Sequence, residues 1–206
     1  MISMKRRDFL KKAGIGSAAL ASIPTLASTL ATPAFAHLPG LRPFFFVAFS
    51  AAGTVGGVAH RVAVNGAGRF LVRSGIVSGI ANGTFVHFDN APPAPKPVLS
   101  TGTWNAVRFT NFRTGFGKWG VVDAGILDMN VELTVLQSSL GLPLGTVLLA
   151  KLHYVCNIGP AGITTGEDEG YSLEIPGTPF ATGGAVGPFK PLVPPVGVTN
   201  ISIPQD

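Results

Sequence analysis

The stretch Ile126-Leu-Asp-Met-Asn-Val-Glu-Leu-Thr-Val-Leu136 alternates without a break. Leu127, Met129, Val131, Leu133 and Val135 share one parity; Asp128, Asn130, Glu132 and Thr134 share the other. Successive side chains of a strand point to opposite faces, so this period of two predicts a half-buried strand with one apolar and one wet side. Residues 145–158 repeat the pattern. Leu148, Ala150, Leu152, Tyr154, Cys156 and Ile158 form a core face, and Lys151, His153 and Asn157 point the other way. Between the two, Leu140-Gly-Leu-Pro-Leu-Gly145 reads as a hairpin-like connection.

Working outward, further strands are predicted at 44–49, 58–65, 69–76, 84–88, 103–112, 119–123, 171–175 and 196–203. Turn signals separate them: Asn65-Gly66, Ser78-Gly79, Asn82-Gly83, Gly115 with Gly117, and Pro176-Gly177. Ala91-Pro-Pro-Ala-Pro-Lys-Pro97 is a stiff extended loop, because each proline fixes φ and removes a donor. Residues 176–195 are again rich in Gly and Pro and are expected to wrap the surface. Few segments hold a helical period for more than two turns. The fold class is therefore all-β: a single antiparallel β-barrel or β-sandwich of about 8–10 strands, with strand spacing leaving that choice open.

The N-terminus reads differently. Lys5, Arg6, Arg7, Lys11 and Lys12 stand against a single acid, Asp8, and an apolar run rich in Ala, Ser and Gly follows to Leu30. The segment ends on Ala34-Phe35-Ala36, a small-x-small pattern that suits a signal peptidase. Arg6-Arg7-Asp8-Phe9-Leu10-Lys11 resembles the twin-arginine export consensus residue by residue. That resemblance covers residues 1–36 and implies cleavage, a mature domain at 37–206, and a periplasmic or extracellular destination. It also implies two transient partners, the twin-arginine translocase and a signal peptidase. A spanning helix needs about 20 strongly apolar residues, and Gly14, Gly16, Ser17, Ser22 and Pro24 dilute this run, so no stable membrane span is expected after cleavage.

Removing that segment changes the charge argument. The chain carries a net +5, but residues 37–206 hold ten basic and nine acidic side chains. A near-neutral domain gives no electrostatic reason to expect nucleic acid. Its length fits one domain with a real core. Cys156 is the sole cysteine, so an intrachain disulfide is excluded, and its apolar parity favours burial over reactivity.

Candidate chemistry is sparse. Cleavage after Ala36 would leave His37 first, and a terminal histidine offers both its amine and a ring nitrogen to one metal. With a partner from His60, His87 or His153, this is similar to the histidine brace of copper monooxygenases and periplasmic copper carriers, and it implies copper. His60 shares parity with Val62 and Val64, which makes it either a hydrogen-bonded core imidazole or a polar anchor in a ligand pocket. His87 lies where a turn is expected, and His153 lies on a polar face. Gly102-Thr-Trp104 and Gly117-Lys-Trp119 place Trp104 and Trp119 as core residues or, with His60, as pocket candidates. Glu167-Asp168-Glu169 reads as a solvated turn rather than a calcium loop, its spacing being unlike an EF-hand. No Gly-x-Ser-x-Gly elbow, His-Glu-x-x-His or phosphate-loop lysine occurs.

Together these readings predict an exported, non-enzymatic β-domain that binds a small or apolar ligand or associates with itself at the cell envelope, with homo-oligomers allowed. The alternative is a copper-binding or redox protein using His37. A hydrolase or isomerase in a barrel rests on fold analogy alone. N-terminal sequencing of the exported chain is expected to begin His37-Leu38-Pro39; any other first residue removes the terminal-histidine copper site.

Overall fold

The computed structural model describes residues 39–55, 58–89, 97–176, 186–191 and 197–204. The export segment, the proline-rich loop at 91–96 and most of 177–196 lie outside these residues. Eleven strands follow in chain order: β1 (Arg42–Val55), β2 (Val58–Arg73), β3 (Ile76–Asp89), β4 (Val98–Arg113), β5 (Lys118–Trp119), β6 (Val122–Asp123), β7 (Gly125–Ser138), β8 (Val147–Cys156), β9 (Gly170–Ile175), β10 (Val186–Pro191) and β11 (Val198–Ile201).

Nine of them form one antiparallel sheet in the order β10-β9-β8-β7-β4-β3-β2-β1-β11. β10 also pairs back to β1, through Ala51 with Pro191 and Ala52 with Lys190, and this closes the sheet into a barrel. β11 takes the other half of the same β1 edge, Phe44–Val47 against Ile201–Val198. The choice between barrel and sandwich is thus settled by pairing between the first and last parts of the domain.

The alternation of β7 and β8 holds in the fold. Leu127, Met129, Val131, Leu133 and Val135 on β7 are buried, as are Leu148, Ala150, Leu152, Tyr154 and Cys156 on β8. The interior is apolar and the outward positions on these strands include Asp128, Glu132 and Lys151, the reverse of a water-filled membrane barrel. Two tyrosines tie walls together across the filled interior. Tyr171 Oη donates to the Val62 carbonyl at 2.6 Å, and Tyr154 Oη contacts the Phe45 carbonyl and both backbone groups of Asn200.

Three expected turns are not turns. Asn65-Gly66 lies inside the 16-residue β2, Ser78-Gly79 and Asn82-Gly83 lie inside the 14-residue β3, and β2 meets β3 only at Ser74-Gly75. Both residues of that turn have positive φ, 50° and 77°, the requirement of a two-residue type I′ hairpin. Gly66 and Gly83 instead make room. Gly66 pairs with Gly83 and Gly83 with Trp104, so the indole lies flat across β3 and β2. A Cβ at either glycine would collide with the Trp104 ring. The indole N–H donates to the Asn65 carbonyl at 3.0 Å, and Phe46 stacks on it with centroids 5.6 Å apart. Overpacking of this kind costs about 1–3 kcal/mol. Gly66→Ala and Gly83→Ala are each expected to lower the urea midpoint accordingly, while Gly159→Ala, with open space around it, leaves it unchanged; equal effects at all three would contradict the glycine-platform reading.

Candidate functional site

One end of the barrel is built from the close of β1, β3, β7 and β9 and the start of β2, β4 and β8. His60 on β2 and His87 on β3 both point inward there, 8 % and 9 % exposed. Their rings stack with centroids 4.8 Å apart, and His60 Nδ1 lies 2.6 Å from His87 Nε2. The structure thus brings together two residues that the sequence placed separately. His87 is not at a turn: β3 continues to Asp89, and its parity with Phe85 turns the imidazole inward. That parity was the available signal.

Ser100 is a third member the sequence reading missed, because β4 begins at Val98 rather than near residue 103. It is 4 % exposed, and its Oγ lies 3.4 Å from His87 Nδ1. Beside His87 and Ser100 is a cavity of about 30 Å³ whose other walls include Val62, Phe85, Val135, Leu148 and Ile175. A void of this size has room for one small functional group, far less than the 300–1,000 Å³ (roughly) of a drug-sized pocket.

Burial lowers both imidazole pKa values. His87 falls to about 4, through burial first and the neighbouring His60 second, with Asp89 opposing. His60 is lowered by burial and partly restored by Asp89. Both rings are therefore neutral at pH 7, and one proton occupies the space between the facing nitrogens. When His87 Nε2 carries it, His87 Nδ1 accepts from the Ser100 hydroxyl, giving a directed chain Ser100 to His87 to His60.

The remaining candidates separate from this end. Trp104 is fully buried in the middle of the interior as packing. Trp119 is 58 % exposed on the short β5–β6 ribbon at the opposite end, where a two-residue strand cannot carry it into the barrel. His37 lies outside the described residues. The described chain enters β1 at Arg42, eleven residues from Gly53, the partner of His60, which is about 36 Å of strand.

His153 forms a second, outer cluster on β8 rather than standing in solvent. Its Nδ1 meets Asp128 at 2.5 Å and its Nε2 meets Glu167 at 2.7 Å; Glu167 also binds Arg113 at 2.8 Å. The hydrogen bond to Asp128 raises the His153 pKa against the effect of burial, with Glu167 adding to it. Burial pushes Asp128 and Glu167 upward, but His153 and Arg113 together, with an Asn111 hydrogen bond at Asp128, outweigh it and leave both below their usual values. The acidic run is split, since Glu169 turns away to accept from Thr199 at 2.7 Å. Among the described residues no three His, Cys, Asp or Glu side chains are placed to share a metal ion. Cys156 is fully buried, and burial raises its thiol pKa.

None of the family models, characterised proteins or solved structures compared with the chain matches it. The class is set by the molecule alone: a closed antiparallel barrel with an apolar interior and a neutral histidine pair buried at one end.

The two histidine environments have opposite pH signatures. His153 is raised, so its contribution is complete below the unfolded value of 6.5 and is lost as pH rises through the folded one. His87 is lowered, so the unfolded chain binds more protons between about 6.5 and about 4, and acidification destabilises the fold across that window. The gap corresponds to roughly 3 kcal/mol. Urea unfolding at pH 7 and pH 4.5 is expected to show this loss, and replacing His60 and His87 together by leucine should flatten it; an unchanged slope in that variant would rule out the pair as its source.

Proposed function

We propose that the chain is an exported barrel that holds a small, largely apolar molecule by a neutral hydroxyl or carbonyl group at its histidine end. The observation that carries this reading is an otherwise apolar cavity whose polar wall is His87 and Ser100, with the His87 ring held neutral against His60 behind it. Uncharged imidazoles give no attraction for a carboxylate or phosphate. The Ser100 hydroxyl beside the neutral His87 ring can accept from or donate to one uncharged group, which suits an alcohol or a carbonyl. The cavity of about 30 Å³ has room for the polar end of such a molecule. Export is supported by the twin-arginine-like run at Arg6 and Arg7 and by the Ala34-Phe35-Ala36 site.

The facing nitrogens bear on the copper alternative. Two imidazoles on one tetrahedral ion with metal–nitrogen bonds of about 2.0 Å stand about 3.3 Å apart. At 2.6 Å the pair is a hydrogen bond, and its rings would have to separate to take a metal. Ligand binding is therefore the reading the geometry favours.

1-Octanol is a suitable probe. Titration is expected to move the His60 and His87 ring nitrogen resonances in a saturable way, and Ser100→Leu, which fills the cavity, should remove the response. Rings that ignore the alcohol in a folded protein, or a Ser100→Leu variant that responds equally, would defeat the proposal.

A further inference from the structure

Both ring nitrogens of His153 face a carboxylate. Nδ1 lies 2.5 Å from Asp128 Oδ1, and Nε2 lies 2.7 Å from Glu167 Oε2. An ionised carboxylate only accepts, and a neutral imidazole carries a single N–H, so a neutral ring can serve one of these oxygens and not both. The arrangement therefore requires the imidazolium, with a proton on each nitrogen. Charges around the ring balance in that state. Asp128 from β7 and Glu167 from the loop after β8 are the negative groups, and Arg113 from β4, 2.8 Å from Glu167, is the second positive one. On the other sides, Lys151 of β8 and Glu174 of β9 pair with each other at 3.3 Å. The β9 residue directly opposite His153 is Ser172, which carries no charge. Of the remaining acids in the loop, Glu169 accepts from Thr199 and Asp168 is exposed.

The two carboxylates are not held alike. Asp128 is half-buried in a strand, and its second oxygen accepts from Asn111 Nδ2 at 3.2 Å. Glu167 is exposed, in the irregular segment 157–169 between β8 and β9. Gly166 and Gly170 stand on either side of the acidic run with φ of 86° and 126°, backbone positions where dihedrals change at little steric cost. Asn157 shapes the loop upon itself: its Oδ1 accepts from the Thr165 N–H at 2.7 Å, and its Nδ2 donates to the Glu167 carbonyl at 2.8 Å. What ties this part of the loop to β4 and β8 is the Glu167 carboxylate, through Arg113 and His153. The Arg113–Glu167 pair is solvent-exposed on both sides, and an exposed ion pair by itself contributes little. His153 is the stronger hold.

We propose that His153 is a proton-operated clamp on this loop: with both ring nitrogens protonated it locks Glu167 to the barrel wall, and when the Nε2 proton leaves, Asp128 keeps the Nδ1 proton and the loop is released. The direction follows from the partners. The hydrogen bond to Asp128 favours the charged ring first, burial opposes it, and Glu167 adds to the favourable side, so the folded pKa is raised. The clamp is therefore closed below 6.5 and opens as pH rises through the folded-state value. In the open state a ring lone pair faces the Glu167 carboxylate, and the cluster carries one excess negative charge, which drives Glu167 outward. The inner imidazoles are neutral over that interval and do not titrate with it. The clamp goes beyond ligand binding and does not depend on the cavity being occupied.

The test follows the ring and the loop together in the full chain. NMR reads the titration of the His153 ring, and solvent exchange reads protection of the Thr165 amide, corrected for the intrinsic pH dependence of exchange. The ring midpoint is expected above 6.5, and Thr165 protection is expected to fall about tenfold over the same interval as the loop opens. Glu167→Gln, a change at an exposed position that leaves the ring in place, should lower the ring midpoint and remove the pH dependence at Thr165. His153→Gln keeps one donor but cannot charge, and should hold Thr165 at the low, open-state protection at every pH. A ring midpoint at or below 6.5 would overturn the proposal, since the imidazolium would then gain nothing from its two carboxylates. Thr165 protection that ignores the ring titration, or that keeps its pH dependence in Glu167→Gln, overturns it as well.

Discussion

Closure of the sheet on the β1 edge is the constraint from which the other features descend. That edge is shared, β11 covering its first half and β10 part of its second. Tyr154 holds the seam: its buried hydroxyl reaches the Phe45 carbonyl and Asn200, which are themselves a paired position of β1 and β11. The cost of burying a phenolic oxygen is offset because it meets backbone groups at the place where the ring is completed.

A closed ring makes every inward side chain a neighbour of several others, so the interior has to be filled to a set volume. In the middle this is done with large rings. Trp104 lies across Gly66 and Gly83, with Phe46 stacked over it and Phe44, Phe70 and Phe109 packed edge to face or stacked beyond. At the histidine end the filling is by smaller aliphatic residues and two imidazoles, and a void remains there. The two rings share one hydrogen bond, and burial keeps both neutral.

The same residue type has opposite electrostatics on the two sides of one wall. Inside, His87 is starved of water and meets another imidazole, so its pKa falls. Outside, His153 is flanked by two carboxylates, so its pKa rises and it pins the loop bearing Glu167 to the strands bearing Asp128 and Arg113. Sequence position alone distinguishes these only through parity. Charge placement changes along the β7–β8 hairpin as well, its outward charges ending at Glu132 and Lys151.

Much of the wall was legible in the sequence, because local alternation fixes which side chains point inward whatever the strand pairs with. Hence the inward faces of β7 and β8, the inward direction of His60 and the all-β class follow from parity. Boundaries were less legible. Asn65-Gly66 and Asn82-Gly83 carry turn chemistry, yet they lie in strands because an indole from a third strand needs their missing side chains. Ser100 and His87 join the site because β3 and β4 run further than their local signals suggest. Trp119 leaves it because its strand is too short to enter the barrel. Alternation is a property of neighbouring residues and was determined by the sequence by itself. Ring closure and the meeting of His60 with His87 across 27 positions depend on contacts between distant segments, and only the tertiary structure decided them.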